Sequence, residues 1–250
     1  MQVIVDALLT HYEQAGNGKT VLLLHGWGDS LEGFKDLRAR LAKHYRVVSL
    51  DLPGFGTSQA PNEVWGLDNY GQFVASFLAK IAVSSVWAVI GHSNGGAIAI
   101  RATARGWLKP ERIVLLAAAG IRGEYKGRNR VYRMIAKTGK VAAKPLPASV
   151  QKRLRKKLYT TIGSDMLVAE HLQETFKRVI TDDVRDDARH VLVPSLLIYG
   201  EADIQAPVWY GERYHELIPN STLEVLPGVD HFVHLERPQV VEDAIMRFLT

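Results

Sequence analysis

Cysteine is absent from the 250 residues, which excludes a disulfide framework, a thiolate metal site and a cysteine nucleophile. A chain without cysteine suits a reducing cytosol. Long apolar runs are missing too: no segment approaches the roughly 18 residues of a membrane-spanning helix. The opening MQVIVDALLTHYEQAG lacks the basic start, the unbroken apolar stretch and the small-residue cleavage site of a signal peptide, and Asp6 interrupts its one apolar run. A soluble, cytoplasmic protein is the expectation. Acid is nearly missing from residues 121–160, where thirteen Lys or Arg face Glu124 alone, so the remainder carries −7 of an overall +5. The plain reading of this basic stretch is a solvated, solubilising face. Its functional alternative is attraction of an anionic substrate or an anionic membrane surface. Nucleic-acid binding lacks support, because no aromatic interleaving accompanies the charge.

What is present is a rhythm. TVLLLHG (20–26), RVVSLD (46–51), VWAVIGHS (86–93), RIVLLAA (112–118) and SLLIYGE (195–201) are rich in Val, Leu and Ile. They read as strands buried on both faces, as in a parallel sheet. STLEVLPG (221–228) reads as a further strand, and residues 1–15 as an antiparallel hairpin at one sheet edge. Residues 31–43, 69–82, 95–105, 207–217 and 238–249 read as helices. The alternation predicts an α/β fold, a mostly parallel sheet of about eight strands flanked by helices. From 121 to 190 the rhythm breaks. Val150, Leu154 and Leu158 recur at helical spacing, as do Leu172, Phe176, Val179 and Ile180 with Ser164 as a candidate N-cap. The chain thus divides into a core, 1–120 and 191–250, and a helical insertion, 121–190.

VIGHSNGGAIAI, from residue 89, places Ser93 where a strand ends and a helix begins. A turn this tight leaves no room for side chains at 91 and 95, and both are glycine. It lifts the hydroxyl above the sheet and points free N–H groups of the helix start at the reacting atom, the nucleophile-elbow arrangement. Gly91, Gly95 and Gly96 match neither the dinucleotide-binding nor the Walker glycine pattern. A serine needs a base, and the base an orienting acid. Asp203, in YGEADIQAP, and His231, in LPGVDHFVHLERP, both follow predicted strands, where open α/β sheets build their sites. His234 is a rival base; Glu201 and Asp230 are rival acids.

HGWGDS, DLPGFGTS, GHSNGG, YGEADIQAP and GVDHFVHLERP together resemble the signature segments of the α/β-hydrolase superfamily over almost the whole chain. The resemblance implies Ser93 as nucleophile, His231 as base and then acid, and Asp203 as its orienting partner. The Trp27 ring reads separately as a candidate wall of the pocket or as a surface aromatic. The resemblance implies an oxyanion hole made by the backbone N–H groups of Trp27 and Asn94. It also places 121–190 in the position of the family's cap. His25 and His92 then support loop and elbow, Asp51 is structural, and Arg101 anchors packing. Serine at the elbow argues against dehalogenases and epoxide hydrolases of this fold, which use aspartate.

The expected activity is carboxylic ester hydrolysis through an acyl-serine, with lactones as cyclic esters reacting by the same steps and perhydrolysis as a side activity. The expected partner is a small ester or lactone, with no cofactor and no metal. Carbon–carbon hydrolysis of the meta-cleavage type, N-terminal peptide cleavage and ligand binding without turnover are the alternatives.

Overall fold

The computed structural model describes residues 1–122 and 169–250. Most of the expected cap therefore lies outside the described residues, including the 150–158 helix, Ser164 and the basic runs KGRNR and RLRKKL. In chain order the described elements are β1 (Gln2–Val5), β2 (Leu8–Ala15), β3 (Thr20–Leu24), α1 (Lys35–Leu41), β4 (Arg46–Leu50), α2 (Leu67–Lys80), β5 (Val86–His92), α3 (Asn94–Ala104) and β6 (Pro110–Leu116). After the insertion come α4 (Gln173–Val179), α5 (Arg185–Ala188), β7 (Ser195–Gly200), α6 (Val208–Leu217), β8 (Ser221–Leu226), α7 (Val233–Glu236) and α8 (Pro238–Leu249). Among the described residues no helix is long and apolar enough to cross a membrane.

The eight strands form one sheet in the order β1-β2-β4-β3-β5-β6-β7-β8. β1 and β2 pair antiparallel, as does β2 with β4; every other pairing is parallel. The apolar runs do bury both faces. Leu22, Val89, Leu115 and Leu197 face a core closed by Tyr70, Phe73 and Phe77 of α2 and Ile98 of α3. Their neighbours Leu23, Ile90, Val114 and Ile198 face a second core closed by Leu37 and Leu41 of α1 and Val241 and Ile245 of α8. Successive strand residues point to opposite faces, so a run with helices on both sides must be apolar throughout.

The order also places a crevice. The chain moves from β3 to β4 on one side, then returns past β3 to lay β5 on the other. Loops leaving β3 and β5 therefore part in opposite directions, and open α/β sheets bind ligands at that switch point.

Two local expectations need correction. Residues 31–43 are not one helix: Leu31–Phe34 is a 3₁₀ turn, capped by the Ser30 side chain, before α1 begins. Leu172, Phe176 and Val179 are buried as the spacing predicts, but Ile180 is 44% exposed because α4 has already ended at Val179.

Arg101 is an anchor in geometry as well as in expectation. Its guanidinium, buried in α3, pairs with Asp68 of α2 and with Asp187 of α5 at 2.7 Å, and donates to the Asp183 carbonyl at 3.2 Å. Arg101→Ala leaves Asp187 buried with only the longer contact from Arg105, at 3.4 Å. We expect a stability loss of about 3 kcal/mol, since stranding one partner of a buried pair is costly. Urea unfolding checks it, and a loss below about 1 kcal/mol would remove the anchoring role.

Candidate active site

The turn at Ser93 is as tight as its sequence demands. Ser93 sits at φ 50° and ψ −115°, in the left-handed half of backbone space that a side chain disfavours. Its neighbours hold it there. The Ser93 N–H donates to the Leu116 carbonyl at 2.9 Å, and its own carbonyl accepts from Gly96, Ala97 and Ala119 at 3.0, 3.2 and 3.0 Å. A Cβ at Gly95 would lie 2.1 Å from the Leu24 carbonyl oxygen, and one at Gly91 would lie 2.6 Å from Gly95 backbone atoms. These are backbone obstacles that no rotamer relieves. Gly95→Ala should therefore cost more than about 4 kcal/mol; a well-folded variant with the wild-type Tm would contradict this packing.

Asp203 and His231 meet from the loops after β7 and β8. Asp203 Oδ2 lies 2.7 Å from His231 Nδ1, with both side chains buried. The other oxygen, Oδ1, accepts the Gln205 and Ala206 N–H groups at 2.7 and 2.9 Å. The carboxylate is thus fixed by two backbone donors and spends its remaining oxygen on the ring. The rival acids are occupied elsewhere: Glu201 accepts from the Gly228 N–H at 3.0 Å, and Asp230 from the backbone N–H of His231 at 2.8 Å. His92, at the end of β5, donates from Nε2 to the His231 carbonyl at 3.1 Å, tying the Ser93 turn to the His231 loop. Burial holds the His92 imidazole well below its ordinary range, hence neutral.

The loop after β3 completes the crevice. His25 Nδ1 donates to the Gly26 carbonyl at 2.7 Å, while Nε2 accepts the Leu52 N–H at 2.9 Å, a pattern that requires the neutral ring. Asp51 accepts from the Leu31 and Thr57 N–H groups at 2.9 Å each and from His11 at 3.0 Å, which pins the 51–58 loop beside it. The Trp27 ring packs between Phe55 and Phe176, at 4.9 and 5.0 Å between centroids. Among the described residues no hydrogen bond takes the N–H of Trp27 or of Asn94, the first residue of α3.

Ser93, His231 and Trp27 line one cavity of about 150 Å³, together with Gly26, Gly28, Asp29, His92 and Phe232. Asp203 stands behind His231, and Asn94 follows Ser93 directly. Sequence reasoning missed Asp29 and Phe232 as lining residues. Each is within two positions of a residue it did name, and that adjacency was the available signal.

His234 lies outside this lining. Its ring packs against Phe34 and His92, at 4.9 and 4.8 Å. Burial, and then the neighbouring His231, pushes its pKa down to about 4. In an unfolded chain the ordinary value is about 6.5, so the unfolded state takes up its proton first. The stability this neutral ring supplies is complete above about pH 6.5 and is lost by about pH 4, a change on the order of 3 kcal/mol. Tm should fall across that window, and His234→Phe should flatten the fall in part, since burial acts on His92 and His25 in the same direction. An unchanged Tm–pH slope in the variant would refute this.

These features define a class. The model of the alpha/beta hydrolase family matches residues 21–244, and the chain belongs to that family. It is similar to a 2-hydroxy-6-oxo-6-(2'-aminophenyl)hexa-2,4-dienoic acid hydrolase of Metapseudomonas resinovorans, 24% identical over 96% of this chain and 87% of that one. It is also similar to the pimeloyl-[acyl-carrier protein] methyl ester esterase of Nitrosospira multiformis, 24% identical over 95% and 97% of the two chains. Among solved structures the enol-lactonase of Burkholderia xenovorans LB400 superposes with a TM-score of 0.77, at 23% identity, over 100% of this chain and 99% of that one. The chain is a hydrolase of this family with its eight-stranded fold.

Proposed function

We propose that the protein is a serine esterase acting on small carboxylic esters, lactones included. The observation that carries this reading is one cavity lined by both Ser93 and His231, with the Asp203 carboxylate bonded to His231 Nδ1 at 2.7 Å. In this mechanism His231 takes the Ser93 proton at Nε2 as Oγ attacks the acyl carbon. Asp203 keeps the other ring proton on Nδ1 and stabilises the imidazolium that forms. The carbonyl oxygen becomes an oxyanion against the N–H groups of Trp27 and Asn94, an arrangement worth several kcal/mol in the transition state. The imidazolium protonates the departing alkoxide. Water, deprotonated by the same ring, then releases the acid and frees Ser93.

A fluorophosphonate probe tests it. One equivalent should attach to Ser93, read by peptide mass, with turnover of 4-nitrophenyl butyrate lost in proportion. Turnover that survives full labelling, or label found elsewhere, overturns the assignment. A protein that only binds ligands would release about one equivalent of 4-nitrophenol and stop.

The dienoic acid hydrolase among the relatives favours one second reading, cleavage of a carbon–carbon bond beside a ketone. That reaction expels a carbanion and needs a proton delivered to carbon, which an ester does not. Loss of a dienone chromophore at a rate above that of ester turnover would establish it over the first.

A further inference from the structure

Apart from two imidazoles, Asp29 is the one ionisable side chain around the cavity among the described residues. It stands two residues beyond Trp27, on the loop whose N–H faces the developing oxyanion in the proposed mechanism. Its carboxylate is held in place. Oδ1 accepts the Ser30 N–H at 2.8 Å, and a Cβ at Gly33 would lie 2.3 Å from Oδ2. The absence of a side chain at 33 is what lets the acid lie down there. No ion pair among the described residues neutralises it. A fixed negative charge at the wall of a small cavity, without an ion pair among the described residues, repels a second one brought in by a substrate, and partial burial weakens the screening that water would supply.

We infer that Asp29 is a specificity-determining residue that makes this site favour esters with an uncharged acid part over esters whose acid part carries a carboxylate. The inference rests on the esterase reading above. Its sign is opposite to the attraction for anionic substrates that is the functional alternative for the basic stretch 121–160, so one comparison separates the two.

The probes are 4-nitrophenyl butyrate and 4-nitrophenyl hemisuccinate, nearly equal in size and different in charge. The wild type should hydrolyse the butyrate with a kcat/KM at least about tenfold the higher, which is ~1.4 kcal/mol. Asp29→Asn keeps an oxygen for the Ser30 N–H and removes the charge. It should narrow the ratio about tenfold, and 0.5 M salt should narrow the wild-type ratio more than the variant's. Asp29→Ser is the second variant, and both are normalised to sites titrated by fluorophosphonate. Labelled, active variants with an unchanged ratio overturn the role of Asp29 alone. Should neither variant titrate, the wild type decides, because equal kcat/KM for the two esters overturns it as well. Failure of wild-type Ser93 to label, with neither ester turned over, instead overturns the esterase reading.

Discussion

Replacing Ser93 by alanine should lower kcat for 4-nitrophenyl butyrate about a millionfold, to the rate that binding and the oxyanion donors alone sustain. The protein should stay folded. Among the described residues, every hydrogen bond that holds residue 93 at φ 50° runs through its backbone N–H or carbonyl, and none through the hydroxyl. Alanine keeps them all and suffers the same positive φ that serine already bears. A Tm within a few degrees of the wild type, together with the lost turnover, assigns the loss to chemistry. Turnover within tenfold of the wild type would falsify the nucleophile assignment.

Asp203→Asn should cost about 10⁴-fold in kcat, a figure known for the equivalent change in a protease triad. The geometry here says why. Oδ1 is committed to the N–H groups of Gln205 and Ala206, so the asparagine must keep its oxygen there. Its NH₂ then replaces Oδ2, 2.7 Å from His231 Nδ1. Nδ1 must now accept rather than donate. The ring proton moves to Nε2, which in the proposed mechanism can then no longer take the Ser93 proton. KM should change little, because Asp203 is behind the ring and touches no substrate. A kcat within tenfold of the wild type would show that Asp203 does not set the tautomer.

The sheet and the elbow were legible because short-range rules govern them. Apolar runs of five to seven residues declare strands covered on both faces, and glycines at 91 and 95 declare a turn that a Cβ would block. Asp203 and His231 were legible only through their order after Ser93 and their places beyond strand ends. Contacts between distant segments were not legible. Nothing near Leu67 announces that the Asp182 carboxylate accepts its N–H at 2.9 Å, across 115 residues. Nothing near Gly54 announces the His171 ring that bonds its carbonyl at 2.9 Å. The same holds for Phe176 reaching Trp27. Such pairings are chosen by the packed fold, and a local pattern carries no trace of them. The split of residues 31–43 was not legible either: the Ser30 side chain caps a 3₁₀ turn at Leu31–Phe34, and the Asp29 carboxylate lies against Gly33 inside it.

The Ser93 peptide is fastened to three separate pieces of chain: the end of β6, the loop that follows it, and the first turn of α3. Loosening the Ser93 hydroxyl therefore means parting the middle of the sheet. Heat should silence such a centre only as the molecule melts, with activity and near-ultraviolet dichroism declining along one curve.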